Sequence, residues 1–181
     1  MEITETTIAD VLLLKPTIHR DDRGFFLETY RQEHFCSYGI DVHFVQDNFS
    51  QSQKGTIRGL HYQIEQPQDK LIMVMQGRIL DVAVDLRQNS DTFGEHTAVE
   101  LSAENKHQIF IPKGFAHGFA VLSDKANVYY KCSDYYYPQG ERGLFWDDSQ
   151  LGIDWKVNAP IISEKDQNQP TLNEISTDNL F

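Results

Sequence analysis

The chain has 181 residues, enough for one domain with a sizeable core and too few for two of ordinary size. Its formal net charge of −11 argues against a nucleic-acid partner, which needs a basic face, but leaves room for a small anionic ligand held by a few arginines. Taken in chain order, the first ten residues are polar and acidic without the basic stretch that opens a secretory signal, and the apolar run at 11–14 is far too short to cross a bilayer. The expectation is a soluble, cytoplasmic protein with no membrane partner, continuous over residues 1–181 as a single domain. The spacing predicts a helix over 32–38. Short strands follow at 56–62, 70–75, 80–86, 97–101, 107–111, 115–122 and 128–132, with turn residues such as Gly77, Asn89-Ser90-Asp91 and Pro112-Lys113-Gly114 between them. Leu80, Val82, Val84 and Leu86 alternate with Asp81, Ala83 and Asp85, the period of a strand with one buried face. Asp147 and Asp148 predict the capped start of a second short helix. Cys36 and Cys132 occur in no metal or redox spacing and read as two buried free thiols. Many strands with little helix between them favour an all-β sandwich, jelly roll or small barrel, whose mouth is a natural ligand site.

Four stretches concentrate chemistry. Arg58-Gly59-Leu60-His61-Tyr62-Gln63 puts an arginine and a histidine on one strand, with a glycine that accommodates a bulge or a close approach. Taken alone, these residues equally describe a surface arginine and a satisfied core histidine. Ile111-Pro112-Lys113-Gly114-Phe115-Ala116-His117 has the P-x-G-x-x-H spacing of the second motif of the cupin superfamily, and His61 to Gly77 takes the place of the first. Metal-binding cupins carry H-x-H and then Glu in that first motif, because an open divalent site needs several converging ligands. Here Gln63 replaces the second His, and Pro67 and Gln68 stand where the Glu belongs. No metal and no cofactor is therefore expected, and His61 and His117 are left for proton transfer. The tyrosine-rich run 129–137 suits strand packing or a dimer surface, and equally a hydroxyl that donates a proton into a cavity. Ser163-Glu164-Lys165-Asp166 reads as a solvated turn.

Together these stretches resemble the dTDP-4-dehydrorhamnose 3,5-epimerase family. The resemblance runs through Asp21-Asp22-Arg23-Gly24-Phe25-Phe26-Leu27-Glu28, Gln46-Asp47-Asn48, and residues 58–63, 77–87, 111–122, 130–136 and 163–166. It implies a cupin-type jelly roll (double-stranded β-helix) with short peripheral helices, and a homodimer that exchanges N-terminal strands. It also implies metal-independent epimerisation at C3 and C5 of dTDP-4-dehydro-6-deoxy-D-glucose, in activated deoxysugar biosynthesis. In that frame His61 is the general base, Asp166 orients it, Lys70 stabilises the enolate and Tyr130 is the acid on the opposite face. Arg23, Glu28, Gln46, Asp47, Asn48, Arg58, His117, Tyr136, Glu141 and Lys165 match nucleotide-sugar-binding positions. Two departures, Gln139 in place of a family Glu and a loop one residue shorter between His61 and Lys70, bear on fine fit and leave the catalytic positions untouched. The residue types suit proton transfer beside a ketone, which needs a base, a cation for the developing enolate and an acid. Alternatives are an epimerase inverting only C3 or only C5, a ketoisomerase on a related nucleotide-sugar, and a non-catalytic sugar-binding cupin.

Overall fold

The computed structural model describes residues 1–181. Along the chain come β1 (Glu2–Glu5), β2 (Leu12–Lys15), β3 (His19–Asp21), β4 (Gly24–Phe26), α1 (Gln32–Ser37), β5 (Gln46–Gln53), β6 (Ile57–Gln63) and β7 (Lys70–Gln76). There follow β8 (Arg78–Asp85), β9 (His96–Ser102), β10 (Gln108–Ile111), β11 (Phe115–Val121), β12 (Lys125–Cys132), β13 (Glu141–Gly143) and α2 (Glu164–Gln167). Eleven strands form two facing antiparallel sheets, ordered β1-β2-β10-β7-β12-β5 and β13-β6-β11-β8-β9, while β3 and β4 make a separate hairpin. This is the expected jelly-roll arrangement.

Apolar side chains fill three layers. Ile72, Val74, Ile109 and Val128 of one sheet meet Ile79, Ala83, Phe119 and Val121 of the other. Behind the five-stranded sheet, Ile57, Leu60, Val82 and Val84 pack against Leu144, Leu151, Trp155 and Leu172 of the C-terminal segment. Behind the six-stranded sheet, Leu14, Leu71 and Phe110 are covered by Phe35 of α1 and by Ile40. No helix is long and apolar enough to cross a membrane.

Several expectations need correction. β8 alternates as predicted, yet both of its faces are buried, because the C-terminal segment covers one and the opposite sheet covers the other. Asp81 and Asp85 are therefore wholly enclosed. β5 was not expected to be a strand: its sequence QDNFSQSQ has no apolar alternation, since one face looks into a polar cavity and the other into solvent. No helix starts at Asp147 and Asp148. Instead the Asp148 carboxylate accepts from the backbone N–H groups of Gln150 (2.9 Å) and Leu172 (2.7 Å), pinning the C-terminal segment. Ser163 to Asp166, read as a solvated turn, instead begin α2 (Glu164–Gln167), capped by the Ser163 hydroxyl, which accepts from Asp166 N–H. Of the two free cysteines, Cys132 is buried as expected and Cys36 is exposed.

Asp85 shows how a buried carboxylate is tolerated. Arg87 donates to it through Nε (2.9 Å) and an amino group (2.7 Å), Ser90 Oγ at 2.6 Å and Thr92 Oγ1 at 2.7 Å. Burial alone would raise its pKa, but these bonds outweigh burial and take it down to about 2. A carboxyl depressed in the folded state contributes stability that is complete above its unfolded pKa and is lost as pH falls through the folded value. Asp85→Asn should accordingly cost roughly 2 kcal/mol at neutral pH. Urea unfolding of variant and parent checks this, with the deficit expected to shrink between about pH 4 and pH 2.

Candidate active site

The site is built around a bulge in β6. His61 pairs with His117 of β11, but Arg58 pairs with Phe119, so Gly59 and Leu60 together oppose Gly118. Residues three apart on a regular strand point to opposite faces; the extra residue restores them to one. Arg58 and His61 consequently both enter the cavity, while Ile57 and Leu60 both join the apolar layer behind. The cavity lies between the sheets as two adjoining recesses of about 460 and 330 Å³ that share His61, Lys70 and Tyr130.

The bulge leaves Gly59 N–H without a ladder partner, and Asp166 accepts it at 3.3 Å. The other oxygen of the same carboxylate lies 2.7 Å from His61 Nε2. Asp166 is 3 % exposed, so burial works against its charge, but the bonds from His61 and Gly59 prevail and hold its pKa below the ordinary value. An ionised carboxylate can only accept, which places a proton on His61 Nε2 and leaves Nδ1 as the free basic nitrogen. His117 is tied in parallel fashion, its Nε2 2.9 and 3.0 Å from the two oxygens of fully buried Asp81. Two imidazoles on neighbouring strands thus each have a dedicated carboxylate. No three His, Cys, Asp or Glu side chains come together as a metal-binding group.

Lys70 and Tyr130 reach the cavity from the other sheet, on the adjacent strands β7 and β12. Burial lowers the Lys70 pKa, with partial compensation from nearby Cys132 and then from the Asp81 and Glu141 carboxylates. Burial raises the pKa of the Tyr130 hydroxyl, which keeps it protonated. At the mouth of the smaller recess, Glu141 accepts from Tyr136 Oη (2.8 Å) and pairs with Lys165 Nζ (2.6 Å). Gln46 and Asn48, alternate residues of β5, line the same recess, and Gln46 Nε2 donates to Asn48 Oδ1 at 3.2 Å.

Three of the fourteen sequence-derived candidates lie elsewhere. Asp47 sits between Gln46 and Asn48, so the period of two turns it to the outer face, where Lys131 donates to it at 2.7 Å. Arg23, at the tip of the β3–β4 hairpin, is 90 % exposed and pairs with Asp21. Glu28 pairs with Arg31 and His34 outside the cavity. The sequence reading missed Asp81, Ser52, whose hydroxyl accepts from Arg58 Nε at 2.9 Å, and Gln63 as a brace. Asp81 carried a signal in the sequence, as an acidic residue between the apolar Leu80 and Val82 within β8.

The profile of the family described as dTDP-4-dehydrorhamnose 3,5-epimerase matches residues 5–174. An enzyme so named from Methanothermobacter thermautotrophicus is 50% identical over 173 residues, covering 94% of each chain. Among solved structures, a dTDP-6-deoxy-D-glucose-3,5-epimerase from Legionella pneumophila in complex with dTDP-4-keto-L-rhamnose is 48% identical, with a TM-score of 0.96 over 99% of this chain and 96% of that one. A dTDP-4-dehydrorhamnose 3,5-epimerase from Bacillus anthracis with TDP and PPi bound is 47% identical, with a TM-score of 0.92 over 94% and 99% of the two chains.

The His61–Asp166 geometry makes a direct prediction. Asp166→Asn keeps the shape but supplies an amide that can donate to Nε2, so His61 can be held in the opposite tautomer. Turnover at saturating substrate should fall at least about 100-fold. Steady-state kinetics beside a thermal melt separates this from loss of fold, and a variant within about threefold of the parent would remove Asp166 from this role.

Proposed function

The chain belongs to the dTDP-4-dehydrorhamnose 3,5-epimerase family, and from this premise we propose that it converts dTDP-4-dehydro-6-deoxy-D-glucose into dTDP-4-dehydro-L-rhamnose by inverting C3 and C5. The carrying observation is the His61–Asp166 pair facing Lys70 and Tyr130 across one cavity from opposite sheets. In this reading His61 Nδ1 takes the proton from the carbon beside the C4 ketone, and the electron pair of the broken C–H bond moves onto the carbonyl oxygen. Lys70 stabilises the resulting enolate as a cation in a partly desolvated site, where one such contact contributes roughly 3 kcal/mol. Tyr130 returns a proton from the far side, and the raised pKa of its hydroxyl keeps that proton available.

The reacting trio lies where the two recesses meet, so a nucleotide-sugar that extends through both brings its sugar past these groups. Arg58, with its Nε held by Ser52, keeps its amino groups for ligand oxygens, and Arg58 and Lys165 supply positive charge for a diphosphate. Arg23 and Glu28 belong to the same reading only in a homodimer, in which the exposed hairpin of one subunit reaches the cavity of the next. Exposed Phe25 and Phe26 follow Arg23 on that hairpin and suit such a contact. Arg23→Ala and His61→Asn chains, each impaired alone at low substrate, should then regain activity when mixed and refolded together, because the mixed dimer holds one cavity with both parent residues. Absence of recovery in a demonstrated mixed dimer would rule out donation between subunits.

Solvent deuterium exchange tests the reaction itself. The parent should exchange at two sugar carbons; exchange at one carbon would favour a 3-only or 5-only epimerase, and binding without exchange would favour a sugar-binding cupin. His61→Asn should abolish exchange, with a rate loss of about 10²–10⁴-fold or more. Tyr130→Phe leaves the base in place, so exchange should outlast inversion in that variant. Equal loss of exchange in both variants would overturn the division of roles.

A further inference from the structure

The segment bearing Tyr136 has no partner strand. After β12 ends at Cys132, residues 134–137 adopt no regular structure, and side chains meet most of their backbone polar groups. Tyr136 N–H donates to Gln46 Oε1 (2.9 Å) and Tyr137 N–H to Gln63 Oε1 (2.9 Å). The carbonyls of Asp134 and Tyr135 accept from Gln68 Nε2 (2.9 Å) and Gln63 Nε2 (3.2 Å). Three glutamines from β5, β6 and the loop after β6 thus take the place of a neighbouring strand.

Gln63 is the centre of this arrangement. It is 5 % exposed, lies two residues beyond His61 on the same face of β6, and uses both amide donors, the second on Gln66 O at 2.8 Å. Its two bonds to the segment fall on the residues just before and just after Tyr136. A neutral imidazole at this position has one donor and one acceptor and could not serve all three partners; a carboxamide can. Tyr136 itself is 54 % exposed, held by its hydroxyl on Glu141 and by its N–H on Gln46. Without Gln63 the ring would have to be ordered at the moment of binding, and that ordering would weaken affinity.

We infer that Gln63 is a positioning residue for ligand binding: by clamping residues 135 and 137 it sets Tyr136 at the cavity mouth before the nucleotide-sugar arrives. The inference rests on the reading of this cavity as a nucleotide-sugar site. It predicts an effect on binding that runs through Tyr136 and leaves the proton-transfer groups alone.

The test is calorimetric binding of dTDP with parallel steady-state kinetics. Gln63→Met nearly preserves length and volume and removes all three bonds. It should bind dTDP about tenfold more weakly, with kcat at saturating substrate within about twofold of the parent. Tyr136→Ala should also bind weakly, and adding Gln63→Met to it should weaken dTDP no further, because the clamp then has nothing to position. Losses that multiply in the double variant, or a fall in kcat with dTDP affinity unchanged, overturn the inference. If Gln63→Met does not fold, Gln68→Ala removes a single bond from the same segment and should show a smaller loss that likewise vanishes beside Tyr136→Ala. Parent protein that fails to bind dTDP would overturn the functional reading itself, whereas a binding parent with equally tight variants overturns only the role of Gln63.

Discussion

Two backbones in contact, Gly59 of β6 and Gly118 of β11, set the geometry on which the site depends. A Cβ on Gly59 would lie 2.5 Å from Gly118 Cα, and one on Gly118 would lie 2.7 Å from the Arg58 carbonyl oxygen. Only glycine at both positions lets the strands approach this closely, and Gly59 also adopts a φ of +129° that other residues rarely take. The approach accompanies the bulge that reverses the alternation of β6, turning Arg58 and His61 to one face and Ile57 and Leu60 to the other. The backbone N–H that the bulge frees is taken up by Asp166, the carboxylate that also holds His61. Fold and chemistry therefore share one irregularity, and the strand could not be regularised without separating the arginine from the histidine.

In the proposed mechanism the two-sheet construction gives proton transfer its sidedness. His61 stands on the five-stranded sheet, and Lys70 and Tyr130 stand on the six-stranded sheet, so a ligand between the sheets meets the proposed base and acid from different directions. Rigid strands rather than loops carry all three groups. Burial between the sheets then acts in opposite senses on Lys70 and Tyr130, making the ammonium easier to discharge and the phenol harder to ionise. Asp81 moderates the first effect while occupied with His117, so a carboxylate with no exposed surface serves both sides of the cavity.

An acidic chain that handles a dianion needs local rather than global charge. Although the net charge is −11, Arg58 and Lys70 both reach the larger recess, with Lys165 beside them paired to Glu141. Glu141, at the smaller recess, is paired with Lys165 and accepts from the Tyr136 hydroxyl. Ligand charge is thus met by a few fixed side chains inside an overall repulsive surface, which favours specific anions over polyanions.

Much of this was legible in the residues. Alternation located β8, β9 and β12, and the turn residues between strands bounded β6, β7, β10 and β11. The cupin-like motif singled out His117 for the cavity, and the family resemblance brought together His61, Lys70, Tyr130 and Asp166, residues up to 105 positions apart. Where the apolar pattern failed, the cause lies in what packs on each face. β5 was missed because it faces a polar cavity, and the buried carboxylates of β8 went unrecognised because alternation shows that a face differs from its neighbour, not what covers it. The role of Gln63 was equally invisible, since a missing metal ligand and a clamp on a distant loop look the same in one dimension. Sequence by itself determined the all-β class, the residue types able to move a proton and the family to which they belong, because those follow from local pattern and motif. Only the tertiary structure decided which face each residue serves, because a single bulge at Gly59 changes the parity of a strand without altering its composition.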